Sequence, residues 1–168
     1  MASGNRTLRD GLVMGLIASV AVAVFYAFFD VLAARGKLYT VDLLGKALFQ
    51  HLRDPSILLL PVQPDTRVIL LYNAVHLAVS LAIGVTVAWL VGYAEQHPER
   101  ARWVTAVIIG GFFVTVILVG MLTAPFRAML PWWSIVVANV VAVLFAGWYL
   151  LRRRRGVFGH LIFPMRSA

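Results

Sequence analysis

Asp30, Tyr72, Asn73, His76 and Asn139 can hydrogen-bond or move a proton, and they stand inside or at the edge of long apolar runs. A carboxylate or carboxamide beside a histidine fixes one imidazole tautomer. The other ring nitrogen is then left for a ligand, a proton or a quinone oxygen. Ionisable groups inside a bilayer are costly, so each is a functional candidate by default. The same residues can also serve only as cross-links between helices, through bonds that average about 0.6 kcal/mol. His76 could equally contact another subunit. All three uses stay open at this point.

Depth groups these residues. His76 lies about 12 Å below the nearer end of its run at 1.5 Å per residue, and Asn139 lies about as deep in its own. Asp30 is one turn from the end of the first run, with Tyr26 one turn deeper. Tyr72, Asn73 and Thr123 complete a polar patch in one half of the layer. The other half is expected to hold no comparable cluster. A haem would need a second axial ligand level with His76. His51, His97 and His160 lie outside the runs, which leaves Met121, and a methionine in an apolar helix ordinarily packs. No cofactor is therefore expected, haem and quinone being the two the patch could take.

Other chemistries are missing from the pattern. The chain has no cysteine, which removes disulfides, thiolate metal sites and thiol redox catalysis. It has no glycine-rich phosphate loop, no metal-spaced His/Glu pair, no paired intramembrane carboxylates and no serine elbow. Broken, repeated halves of a transporter and a continuous polar lining of a channel are also absent.

The elements that must position the patch follow from composition. Of 168 residues, 61% are hydrophobic and only 13% charged, and the mean hydropathy is +0.87. Too few charges remain to coat a soluble globule, so the chain reads as an all-α membrane protein. Runs at 11–34, 68–93, 103–126 and 131–151 are each long enough to span the bilayer and must be helical there. The first exceeds the apolar core of a signal peptide and is kept as a span. Residues 1–155 then form one domain of four antiparallel spans, with 156–168 a cytoplasmic tail.

The net charge of +8 belongs to lipid head groups rather than nucleic acid, because the basic residues sit at the ends of apolar runs. Arg152, Arg153, Arg154 and Arg155 directly follow the fourth run and read as a membrane-surface anchor. With Arg6, Arg9, Arg100, Arg102 and Arg166 they outweigh Arg35, Lys37, Lys46, Arg53, Arg67 and Arg127 on the other side. This bias places both termini in the cytoplasm. Within the outer loop, 35–67, "TVDLLGKALFQHLRDP" reads as a short amphipathic helix capped by Thr40 and ended by Pro55. Its apolar face is Leu43, Leu44, Ala47, Leu48 and Leu52, with Lys46, Gln50 and Arg53 polar. It should lie on the outer surface or cap the bundle. "SILLLPVQPDT" is too short to span and could dip into the interface.

Small residues recur every fourth position: Gly11, Gly15, Ser19, Ala23 and Ala27 in the first run, and Ser80, Gly84, Ala88 and Gly92 after His76 in the second. Ser134, Ala138, Ala142 and Ala146 do the same in the fourth. Lipid gives helices little hydrophobic drive to associate, so close packing at small residues supplies it, and these stripes should face protein. Gly110 and Gly111 mark a close approach or a soft point in the third run.

The order "FFDVLAARGKLYTVDLLGKALF", "YNAVHLAVSLAIG" and "WWSIVVANVVAVLFAGWYLLRRR" resembles a group of small bacterial four-span membrane proteins with no established activity, over about residues 11–155. The resemblance implies a bacterial inner membrane and assigns no catalytic residue. The expected function is that of a non-catalytic subunit or assembly partner of a larger respiratory or photosynthetic membrane complex, in contact with lipid and with other membrane subunits or a second copy. The alternatives are an enzyme or small-molecule-binding protein acting through the polar patch, and a small transporter.

Overall fold

The computed structural model describes residues 2–50 and 63–153. Among them it contains five α-helices and no strand: α1 (Ala2–Leu32), α2 (Tyr39–Phe49), α3 (Thr66–Gln96), α4 (Ala101–Leu122) and α5 (Trp132–Arg153). All but α2 are long and apolar enough to cross a membrane. The dip expected at "SILLLPV", Leu52, Arg53, Pro55, Arg154, Arg155 and the tail 156–168 lie outside the described residues.

Helix ends follow local chemistry. Asp65 precedes α3, and its side chain accepts the N–H groups of Arg67 and Val68. α4 stops at Leu122, short of the expected 126, because Pro125 cannot continue the ladder. The chain there tightens into a 3-10 turn, Ala124–Phe126. α1 and α3 have 31 residues each. That is about 46 Å at 1.5 Å per residue, more than the roughly 30 Å of hydrocarbon. Asn5, Arg6 and Arg9 are exposed on the excess turns of α1.

The stripes on α1 and α3 meet each other. A Cβ on Gly11 would sit 2.5 Å from Val85 Cα, and one on Gly15 2.5 Å from the Ser80 oxygen. A Cβ on Gly84 would collide with the Gly11 oxygen and the Gly15 backbone. Four residues on, Ser19 reaches His76. Each step of four forward along α1 matches a step of four back along α3, so the two helices run antiparallel with backbone against backbone. On α5, Ser134, Ala138, Ala142 and Ala146 are all buried. Tyr26 packs with Ile135 and Ala138 toward one end, and Met14 with Ala146 and Leu150 toward the other. α5 is therefore also antiparallel to α1.

α4 is held at its ends. Ala101 and Val104 pack on Ala94 of α3, and Gly120 makes room for the Trp132 ring. Between them, a Cβ on Gly110 or Gly111 would have no neighbour within 4 Å. The glycine pair thus marks no close approach among the described residues.

α2 caps the bundle. Leu44 joins Tyr26, Leu130, Ile135 and Ala138, while Leu43 packs on Phe126 beside Tyr39 and Met129. Gly45 lets α2 approach the start of α3, where a Cβ would lie 2.5 Å from Val68 Cγ1. Two expectations for this helix are corrected. Thr40 does not cap it: α2 begins one residue earlier, and Leu38 before it offers no capping side chain. Lys46 does not face water either; it is buried with Asp42.

Candidate functional site

The patch expected around His76 divides into separate contacts. Asp30, at the last turn of α1, is 0% exposed. One carboxylate oxygen accepts the Thr40 N–H at 2.8 Å and the other accepts the Thr40 hydroxyl at 2.6 Å. A carboxylate on α1 thereby caps α2 across the intervening turn, which replaces the local cap that Leu38 cannot provide. Asp30 is committed to this joint and does not orient His76.

Asn73 and Asn139 each donate to the carbonyl one turn back on their own helix, Ile69 at 2.9 Å and Ile135 at 2.8 Å. A side chain bonded to its own ladder leaves the imidazole to others, so Asn139 does not fix the His76 tautomer. The partner of His76 is Ser19, whose Oγ lies 3.4 Å from Nδ1. The Tyr72 ring stacks on the imidazole, with centroids 6.2 Å apart and planes within 4°. Met121 is 67% exposed on the outside of α4, which does not suit a second axial ligand opposite His76. The donor set therefore does not fit a haem held between His76 and Met121.

A second polar cluster, beside α2, was not anticipated from the sequence. Lys46 Nζ donates to Asp42 at 2.6 Å and to the Gln63 carbonyl at 2.7 Å. The other Asp42 oxygen accepts the Asp65 N–H at 2.9 Å. The buried pair thus clamps the segment leading into α3. On the opposite flank, Arg35 donates to the Met129 carbonyl at 2.6 Å and lies over the Tyr39 ring, whose hydroxyl donates to Met129 Sδ at 3.0 Å. Burial pushes the Tyr39 phenol above its ordinary value, with Arg35 opposing that shift.

Asp10, two turns into the charged start of α1, is only 2% exposed. The half of the bundle expected to hold no comparable polar cluster thus contains a single buried carboxyl group. The available signal was an acidic residue directly before Gly11, on the edge of a stripe that must face protein. For Ser19 the signal was the matched four-residue spacing of the two stripes. For Asp42 and Lys46 it was their i,i+4 spacing. Arg152 and Arg153 are exposed at the end of α5, where the anchor was expected. No protein-family model, curated protein or solved structure matches the chain.

Proposed function

We propose that the chain is a non-catalytic integral subunit or assembly partner of a larger membrane complex, respiratory or photosynthetic in type. Its place is a bacterial inner membrane with both termini cytoplasmic. The observation that carries this reading is the outward face of α4. Small residues in a membrane span favour close helix contact. α1, α3 and α5 turn their every-fourth-residue stripes inside the bundle, whereas Gly110 and Gly111 lie mid-span with nothing among the described residues within 4 Å of a Cβ. Val107, Phe113, Val114 and Leu118 flank them, all exposed. A helix from another subunit could approach there as closely as α3 approaches α1.

Two further observations support the reading. Asp30, Asn73 and Asn139 are taken up by internal contacts, which is scaffold chemistry. Arg6, Arg9, Arg100, Arg102, Arg152 and Arg153 are all exposed at one end of the bundle. At the other end Lys46 is tied to Asp42 and Arg35 to Met129, which leaves Lys37, Arg67 and Arg127 exposed among the described residues, three against six. This asymmetry favours the cytoplasmic side for the arginine end.

The test is purification from the native membrane in mild detergent, for the wild type and for Gly110→Leu/Gly111→Leu. At both positions a Cβ meets nothing within 4 Å among the described residues. The wild type should migrate with larger subunits, and the variant should be folded but alone. A wild-type chain that migrates alone sinks the proposal. His76→Ala separates out the small-molecule reading: a quinone or chromophore lost from a fully stable His76→Ala protein would move the function to that site.

A further inference from the structure

At the arginine end, α1 and α5 enclose an open groove of about 480 Å³ lined by Ile17, Phe145, Trp148, Tyr149, Arg152 and Arg153. All but Ile17 come from α5, where spacings of three and four place them along one face. The chemistry is ordered along the helix axis. Phe145 and Ile17 are apolar and deepest, the two amphipathic aromatics come next, and the guanidinium groups are last. From Phe145 to Arg152 the helix rises about 10 Å at 1.5 Å per residue.

That order matches a phospholipid standing in its leaflet, with acyl chain, ester region and phosphate in sequence. Ile17 and Tyr149 pack against the core cluster of Met14, Ala88, Val91, Ala146 and Leu150, so the floor is part of the packed bundle. Arg152 is held over the Trp148 ring, with Cζ 3.8 Å from the centroid. A guanidinium lying against an indole face keeps its N–H donors in plane and available to an oxyanion. Arg153 adds a second cation beside it. Two adjacent guanidinium groups repel the ammonium of a zwitterionic head group and suit a head group whose only charge is phosphate.

We propose that this groove binds one anionic phospholipid, with its phosphate on Arg152 and Arg153, its ester region against Trp148 and Tyr149, and an acyl chain over Phe145 and Ile17. Diffuse attraction to an anionic surface needs only net charge and gives about a fivefold preference per arginine. A built site needs the arginines in this position. Arg102 supplies the control, being exposed at the same end of the bundle but on α4, outside the groove.

The experiment is native mass spectrometry of the delipidated full chain in detergent, titrated with phosphatidylglycerol and with phosphatidylcholine. One phosphatidylglycerol should be retained with at least a tenfold preference. Arg152→Gln/Arg153→Gln should abolish that preference, and Trp148→Leu should weaken binding several-fold at unchanged net charge. Arg102→Gln should leave it intact. Equal binding of the two lipids overturns the proposal, as does an effect of Arg102→Gln comparable to that of Arg152→Gln/Arg153→Gln. Displacement of the lipid by millimolar inorganic phosphate would identify a soluble anion as the occupant and overturn it too.

Discussion

The substitution Gly84→Ala tests the packing logic of the bundle with a single methyl group. A Cβ at Gly84 would lie 2.6 Å from the Gly15 nitrogen and 2.8 Å from its Cα, with the Gly11 oxygen nearer still. These neighbours are all backbone, so no side chain can rotate aside. Restoring an ordinary contact of 3.4 Å to the nearest of them requires α1 and α3 to separate locally by about 1 Å. A gap of 0.5–1 Å forfeits roughly a quarter to a half of each dispersion contact it opens. The pairs at risk are Gly11 with Val85, Gly15 with Leu81, and Ser19 with His76. Overpacking of this kind costs about 1–3 kcal/mol. Gly110→Ala is the internal control: the same methyl meets open space, and alanine is the better helix former by about 1 kcal/mol in water. Unfolding of each variant in mixed micelles, followed by circular dichroism against denaturing detergent, measures the difference. Gly84→Ala should lose stability while Gly110→Ala holds or gains. Equal behaviour of the two would refute the backbone-to-backbone crossing.

The α2 joint gives three more expectations. Asp30→Ala leaves the Thr40 N–H and hydroxyl unpaired, at about 1–3 kcal/mol each; hydrogen exchange over Tyr39–Phe49 should rise sharply, and Asp30→Asn, which keeps an acceptor, should rise less. Breaking the buried pair by Lys46→Met alone should cost about 3–5 kcal/mol, whereas Asp42→Asn/Lys46→Met should be much milder; thermal melts in detergent that rank the double variant lowest would contradict this. Burial favours the neutral Tyr39 phenol, so its contribution is whole below the ordinary value of 10.0 and is lost as pH rises through the higher folded value. Melting temperature should therefore fall more steeply above about pH 10 in the wild type than in Tyr39→Phe, and parallel slopes would show the phenol to be uninvolved.

How much was legible follows from what each feature depends on. The four spans could be read because length and apolarity are properties of single segments, and lipid allows them only one backbone geometry. The stripes could be read for a related reason: small residues at every fourth position define a face before any partner is known. The register between α1 and α3 was also present in the sequence, since two stripes of equal spacing can only interlock in steps of four. His76 and Ser19 fall on the same rung once Gly11, Gly15 and Gly84 are engaged. Depth alone grouped Asp30, His76 and Asn139, and depth proved insufficient. It says how far a side chain lies from the interface but not toward which neighbour it turns. Asn139 turned to its own helix, and Asp30 turned to a hydroxyl ten residues ahead. The Asp42–Lys46 pair was hidden because an amphipathic pattern is normally read with charge facing water.

The polar contacts around α2 share a structural cause. α2 begins against the packed ends of α1 and α5, and the first N–H groups of any helix lack partners. In a bundle end packed with Leu44, Leu130 and Ile135, water is a poor substitute. The donors must be met from within the chain, and a carboxylate offers two acceptor oxygens at one position. Asp30 meets Thr40, Asp42 meets Asp65 and Lys46, and Asp65 meets the start of α3. Each carboxylate lies where the chain enters or leaves a helix rather than where helices cross mid-membrane. The α1–α3 crossing itself is made by glycine and serine, with His76 on its Ser19 rung and Asp10 buried beside Gly11. Asp30→Asn/His76→Ala therefore tests the division. Its stability loss should equal the sum of the two single losses, because the cap and the crossing share no partner. Marked non-additivity would restore the single polar patch that depth alone implied.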